Sequence, residues 1–125
     1  NEAQVDFLAK GPDNWTVLHY AARRGHTNVV LFILTQIYHA LGATFAVELI
    51  NSPTKSGWTP LLMAADRGHV GVSRLLIECG ADLSLKTREG GNLVQILKLY
   101  TDQQHQEIQS AMVSSQEQRR SLGWQ

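Results

Sequence analysis

The chain has 125 residues, with 11 Lys and Arg against 11 Asp and Glu, so its formal charge is zero with the five histidines neutral. That balance excludes the basic excess of a nucleic-acid module and the acidic excess of a solvating tail. Hydrophobic residues make up 43% and charged residues 18%, which excludes a disordered chain and supplies one domain's core. The lone Cys79 excludes a disulfide framework and a Cys-rich zinc site. The strongest apolar run, Val29 to Leu34, falls far short of the about 18 residues a bilayer span needs. The sequence opens on Asn1, with neither an initiator Met nor a secretory apolar segment, and so reads as a piece of a longer protein.

In chain order, Ala3 to Lys10, with Val5, Phe7 and Leu8, reads either as a short covering helix or as the remnant of a repeat. From Thr16 the chain repeats itself. TVLHYAARRGHTNVV stands over TPLLMAADRGHVGVS at an offset of 43 residues without a gap. Thr16 and Thr59 suit helix starts, where a hydroxyl satisfies an orphan N–H, and Pro60 at a first helical position gives up a donor that had no partner. The pairs Ala21-Ala22 and Ala64-Ala65 let neighbouring helices approach, and Gly25 and Gly68 end the short inner helices in a left-handed conformation. Val72, Leu75 and Leu76 have the spacing of an outer helix with one apolar stripe, repeated by Val29, Phe32 and Ile33. Each copy is therefore a helix pair and a turn that buries its faces only by stacking.

The first copy carries an insertion between Leu34 and Asn51. Ile33, Ile37 and Leu41 prolong its outer helix to about Ala40, Gly42 stops it, and Thr44 to Leu49 add a further turn or two. The insertion is either tolerated surface that tucks Phe45 and Val47 onto the stack or a functional loop. A second offset of 33 residues links Gly57 to Gly90. The third copy loses its Gly-His pair and puts Asn92, Leu93, Lys98 and Thr101 at the Thr, Pro, second Ala and Gly positions. Its outer helix, Gln103 to about Gln118, has Ile108, Ala111 and Met112 as an apolar face. Leu122 and Trp124 either fold back or belong to a linker.

Gly57-Trp58-Thr59-Pro60-Leu61, Ala64-Ala65, Gly68-His69, Leu75-Leu76 and Gly80-Ala81-Asp82 resemble an ankyrin repeat, whose period and core motif they share. Residues 54–86 match well. Residues 11–34 match with Val17 at the Pro position and His19 at the motif's His, which the next copy replaces with Leu62. Residues 87 to about 115 are a weak copy. The resemblance implies an all-α solenoid of helix-turn-helix units with finger loops, in one domain spanning 1–125. Within it, 1–10 are a cap or remnant, 11–53 a repeat with its insertion at about 35–50, 54–86 a repeat, 87–118 a degenerate capping repeat and 119–125 a tail.

His19, His26 and His69 read as structural, since the resemblance implies that they lock turns and neighbouring repeats. No metal site is expected, because His26 and His69 sit in separate repeats without a Cys or carboxylate at ligand spacing. Cys79, His69 and Asp82 make a poor nucleophile, base and orienter, two of them being explained by the repeat. No phosphate loop or nucleophile elbow is present, and no cofactor or catalysis is expected. The Asn14-Trp15-Thr16 sequon is discounted because Thr16 starts a helix.

The resemblance implies that partners meet the concave side formed by the fingers and inner helices. By position this side carries Trp15, Arg23, Arg24, Lys55, Trp58, Asp66, Arg67, Arg88 and Tyr100, accompanied by Pro12, Asp13, Ser56, Lys86, Glu89, Gly91 and Leu99. Trp15 and Trp58 are equivalents one repeat apart, and they either pack over their own fingers or bind. Aromatic and Arg side chains dominate interface energetics. The expected function is a protein-interaction module, monomeric as a segment, that receives a protein or peptide with acidic character and apolar anchors, and neither nucleic acid nor a membrane. Six basic residues against three acidic ones on that side explain how a neutral chain can take an acidic partner. Alternatives are a regulatory or substrate-recruiting segment of an enzyme, ubiquitin ligase or bacterial effector, and a purely structural scaffold section. The expected location is intracellular, cytoplasmic or nuclear, or a host's cytoplasm for a secreted effector.

Overall fold

The computed structural model describes residues 9–100 and 102–121. Seven α-helices follow a 3-10 turn at Pro12–Asn14: α1 Val17–Arg24, α2 Thr27–Leu41, α3 Ala43–Ile50, α4 Pro60–Asp66, α5 Val70–Glu78, α6 Leu93–Lys98 and α7 Gln103–Ser121. Among the described residues there is one isolated antiparallel bridge, Lys86 with Asn92, and no strand. The stretch Ala3 to Lys10 falls almost wholly outside the described residues, as do Leu122 and Trp124.

The inner helices α1, α4 and α6 start at side-chain caps. Thr16 accepts from His19 N at 3.4 Å, Thr59 from Leu62 N at 3.3 Å and Asn92 from Gln95 N at 2.9 Å. Each such cap is worth about 0.5–2 kcal/mol. Asn92 therefore does for the third unit what threonine does for the others. The inner helices stack α1 on α4 on α6, and the outer helices α2 on α5 on α7. Leu18, Ala22, Val30, Leu62, Ala64, Ala65, Leu76, Leu93 and Ile108 form the buried core between the two rows.

Fingers precede the inner helices and repeat one hydrogen-bond pattern. Gly11 N donates to Trp15 O (2.8 Å), Thr54 N to Trp58 O (2.9 Å) and Thr87 N to Gly91 O (3.0 Å). Successive fingers are joined by Lys55 N to Asp13 O and Arg88 N to Ser56 O, both 2.9 Å. Gly57, at φ 84°, sits so close to the next finger that a Cβ would lie 2.8 Å from Arg88 N.

Two apolar assignments fail against the packing. In α2 the buried stripe is Val30, Ile33, Leu34 and Ile37, whereas Val29 and Phe32 are exposed. Their counterparts Val72 and Leu75 are buried and half-buried, because α5 has α2 beside it while no described repeat precedes α2. The insertion prolongs α2 to Leu41, Gly42 ends it, and α3 packs back on α2. Phe45 and Val47 are not tucked in. They stay exposed because the i, i+3, i+4 face of α3 that meets the stack is Ala46, Leu49 and Ile50. Ser73, at Val30's equivalent position, is fully buried, and its Oγ has no partner among the described residues.

Candidate partner-binding surface

The surface grows out of the histidine joints between repeats. His19 is fully buried, and its Nδ1 accepts from Thr16 N at 3.0 Å, which leaves Nε2 to donate to Trp58 O at 3.0 Å. Burial holds its pKa below the ordinary histidine value, against a smaller opposing pull from the Trp58 carbonyl. His69 Nε2 meets Arg23 O at 2.9 Å, tying the second unit to the end of α1. His26, expected to do the same, is exposed and has no side-chain hydrogen bond among the described residues, since no described repeat lies before it. The third unit does not lack this joint. His105, inside α7, places Nε2 3.2 Å from Asp66 O, and its Nδ1 lies 2.7 Å from an oxygen of Asp102. Those contacts to His105 depress the Asp102 carboxyl pKa.

These joints fix the two indoles. Trp58 is half-buried, with its backbone N donating to Thr54 Oγ1 at 3.2 Å and its carbonyl held by His19. Trp15, also half-buried, lies 4.9 Å from the Tyr20 ring, and the Arg23 guanidinium sits over its face at 5.9 Å. Between them is a notch of about 180 Å³ lined by Trp15, Arg23, Trp58, Met63, Asp66 and Arg67. Five of the nine expected side chains thus meet at one place. Asp66 is already engaged: Tyr100 Oη donates to its Oδ1 at 2.8 Å, and the Tyr100 ring stacks on His105 with centroids 3.9 Å apart. That bond, with burial, raises the Tyr100 phenol pKa. Arg24, Lys55 and Arg88 are exposed outside the notch, and Leu99 stands 75% exposed beside Tyr100. Among the described residues the ion pair found is His105 with Asp102, and none reaches the arginines or Lys55. The repeat offset of 33 residues pairs Asp66 with Leu99, and it is the next residue, Tyr100, that engages Asp66.

A larger groove of about 800 Å³ lies between α5 and α7, lined in part by Arg74, Cys79, Ser114 and Arg119. Arg119 donates there to the carbonyls of Ile77 (3.4 Å) and Ala81 (3.3 Å), so its charge is spent on the end of α5. Burial, then Glu78, raises the Cys79 thiol pKa, which makes it a poor nucleophile. His69 is bonded to Arg23 O, and Asp82 to Ser84, whose hydroxyl and N–H lower the Asp82 pKa, so these three form no relay. Among the described residues no group of three His, Cys, Asp or Glu is placed to hold a metal, and no helix is long and apolar enough to cross a membrane.

A family model described as ankyrin repeats in three copies matches residues 1–87. The chain belongs to the ankyrin-repeat family. It is 36% identical over 74 residues to alpha-latrotoxin-Lh1a of Latrodectus hasselti, an alignment covering 58% of this chain and 5% of the toxin. It is 26% identical over 114 residues to the E3 ubiquitin-protein ligase XBAT32 of Arabidopsis thaliana, covering 78% of this chain and 22% of the ligase. The chain therefore spans a small part of the curated relatives it matches. Among solved structures it resembles a chain from the complex of yeast ribosomal protein Rps3 with its chaperone Yar1, with TM-score 0.74 and 25% identity over 87% of this chain and 75% of that one. Ankyrin repeats are generally non-catalytic protein-interaction modules.

Proposed function

We propose that this chain is a protein- or peptide-binding module whose working surface is the concave side, centred on Trp15, Arg23, Trp58, Asp66 and Arg67 and bordered by Arg24, Lys55, Arg88 and Tyr100. The observation that carries this reading is the notch itself. Two indoles from successive repeats flank it, His19 holds the Trp58 backbone carbonyl, Tyr20 and Arg23 lie against the Trp15 ring, and basic side chains without carboxylate partners among the described residues stand beside it. Preorganised aromatics beside Arg are what interface hot spots are made of. The surface recognises and does not turn over substrate.

The test is affinity capture with the chain against a Trp15→Ala/Trp58→Ala variant, with helicity checked by circular dichroism. Partners retained by the folded double variant at undiminished affinity would remove the concave side from consideration.

One observation favours a second reading, a section of a longer scaffold. Val17, Tyr20, Val29 and Phe32 are exposed on the first unit, at a face whose counterpart in the second unit is covered by stacking. A Phe32→Ser variant that is as soluble and as stable as the parent speaks against a covering neighbour; a gain in solubility supports it.

A further inference from the structure

The concave-side reading, on which this inference rests, does not by itself say which chemistry the notch selects. Its volume of about 180 Å³ is below the about 300–1,000 Å³ typical of small-molecule pockets, and suits one side chain of a longer ligand. Its walls are the two indoles and the buried, adaptable Met63 thioether. Its rim carries three charges. The one negative charge, on Asp66, is already hydrogen-bonded by Tyr100, and stacking on His105 keeps that phenol in place. The two positive charges, Arg23 and Arg67, have no carboxylate partner among the described residues. Arg23 is exposed, and its guanidinium carbon stands over the Trp15 ring, 5.9 Å from the centroid. A cationic ligand would find that ring face taken and two like charges at the rim; a carboxylate finds two forked donors.

We infer that the notch reads an acidic peptide: an aliphatic side chain enters between Trp15, Trp58 and Met63, and the carboxylate of a flanking Asp or Glu is held by Arg23 and Arg67. Tyr100 is a positioning residue. By occupying Asp66 it keeps the notch's own carboxylate from competing with the ligand's for the two guanidinium groups.

The experiment is a titration of the nitrogen-15-labelled chain, followed at the indole N–H signals of Trp15 and Trp58. Three blocked peptides are compared, identical except for a Glu-Leu-Glu, Gln-Leu-Gln or Lys-Leu-Lys core. The Glu peptide should shift both indoles and bind about tenfold more tightly than the Gln peptide, as expected for charge-assisted hydrogen bonds, and the gap should shrink with added salt. Arg23→Gln/Arg67→Gln should abolish the gap, and Tyr100→Phe should narrow it about threefold by freeing Asp66. If the Gln or Lys peptide shifts the indoles with equal affinity, the notch is a peptide site that does not read acid, and this inference falls while the concave-side reading stands. If no peptide shifts them, the inference falls as well. The concave-side reading falls with it only if captured partners also ignore the double Trp variant.

Discussion

His105 Nε2 lies 3.2 Å from the carbonyl oxygen of Asp66, one repeat along from the contact that His69 makes with Arg23. The joint that closes the first unit onto the second is thus rebuilt between the second and the third by a histidine from a different place in the chain. His105→Leu, which keeps bulk and loses both ring contacts, should destabilise the protein by about 1–3 kcal/mol. Amides of α6 and α7 should exchange faster than those of α4. Uniform exchange across the three units would show that the joint carries no local stability.

Ser73 buries a hydroxyl without a partner where the preceding unit has Val30. Ser73→Ala should raise stability by about 1 kcal/mol, seen as a higher urea midpoint at unchanged slope. A lower midpoint would mean that the hydroxyl has a partner in solution.

His19 is neutral in the folded state because its Nδ1 accepts a backbone N–H and burial lowers its pKa. The unfolded chain, with an ordinary histidine, then binds more protons between the two pKa values. Its contribution is complete above about pH 6.5 and is lost as the pH falls from there toward the lower folded value. Imidazole resonances should show His19 as the Nε2–H tautomer and titrating below an ordinary histidine; titration at or above that value contradicts the assignment.

Gly25 and Gly42 separate strain from sterics. Both have positive φ, 75° and 93°, but a Cβ on Gly25 would lie 2.5 Å from His69 Nδ1, whereas nothing lies within 4 Å of one on Gly42. Gly42→Ala, at φ 93° and ψ 175°, should lose about 1–3 kcal/mol from conformation alone; Gly25→Ala, in the milder left-handed region, should lose about 1 kcal/mol from conformation and at least about 1 kcal/mol more from the clash. A Gly25→Ala loss of no more than about 1 kcal/mol in urea unfolding would refute the close approach of His69.

Spacing made most of the fold legible, because Thr caps, Pro60 and the glycines act within a few residues of themselves. It failed where a partner is remote or missing. An offset of 33 residues puts Asp102 at the His69 position, and α7 starts at Gln103 just as α5 starts at Val70, so the register holds, but the working histidine stands three residues further on, inside α7. Val29 and Phe32 looked like core because their repeat equivalents are, yet whether a stripe is buried depends on having a neighbour. On the concave side, position alone gathered the residues of the notch. The Tyr100–Asp66 bond, which engages the notch's one carboxylate, is a tertiary contact that no local rule announces.

The bonds between fingers give the stack a direction. Each later finger donates through the residue equivalent to Lys55 or Arg88, and the residue at that place in the first finger is Pro12, which has no N–H to give. The Glu89 carbonyl at the other end is, among the described residues, an acceptor still waiting for a donor. The series can be lengthened in register past Glu89 but not before Pro12. A unit joined on the Pro12 side would lack that finger bond and be held by its helices and by His26, the counterpart of His69, so that joint would be the weaker one of the assembly.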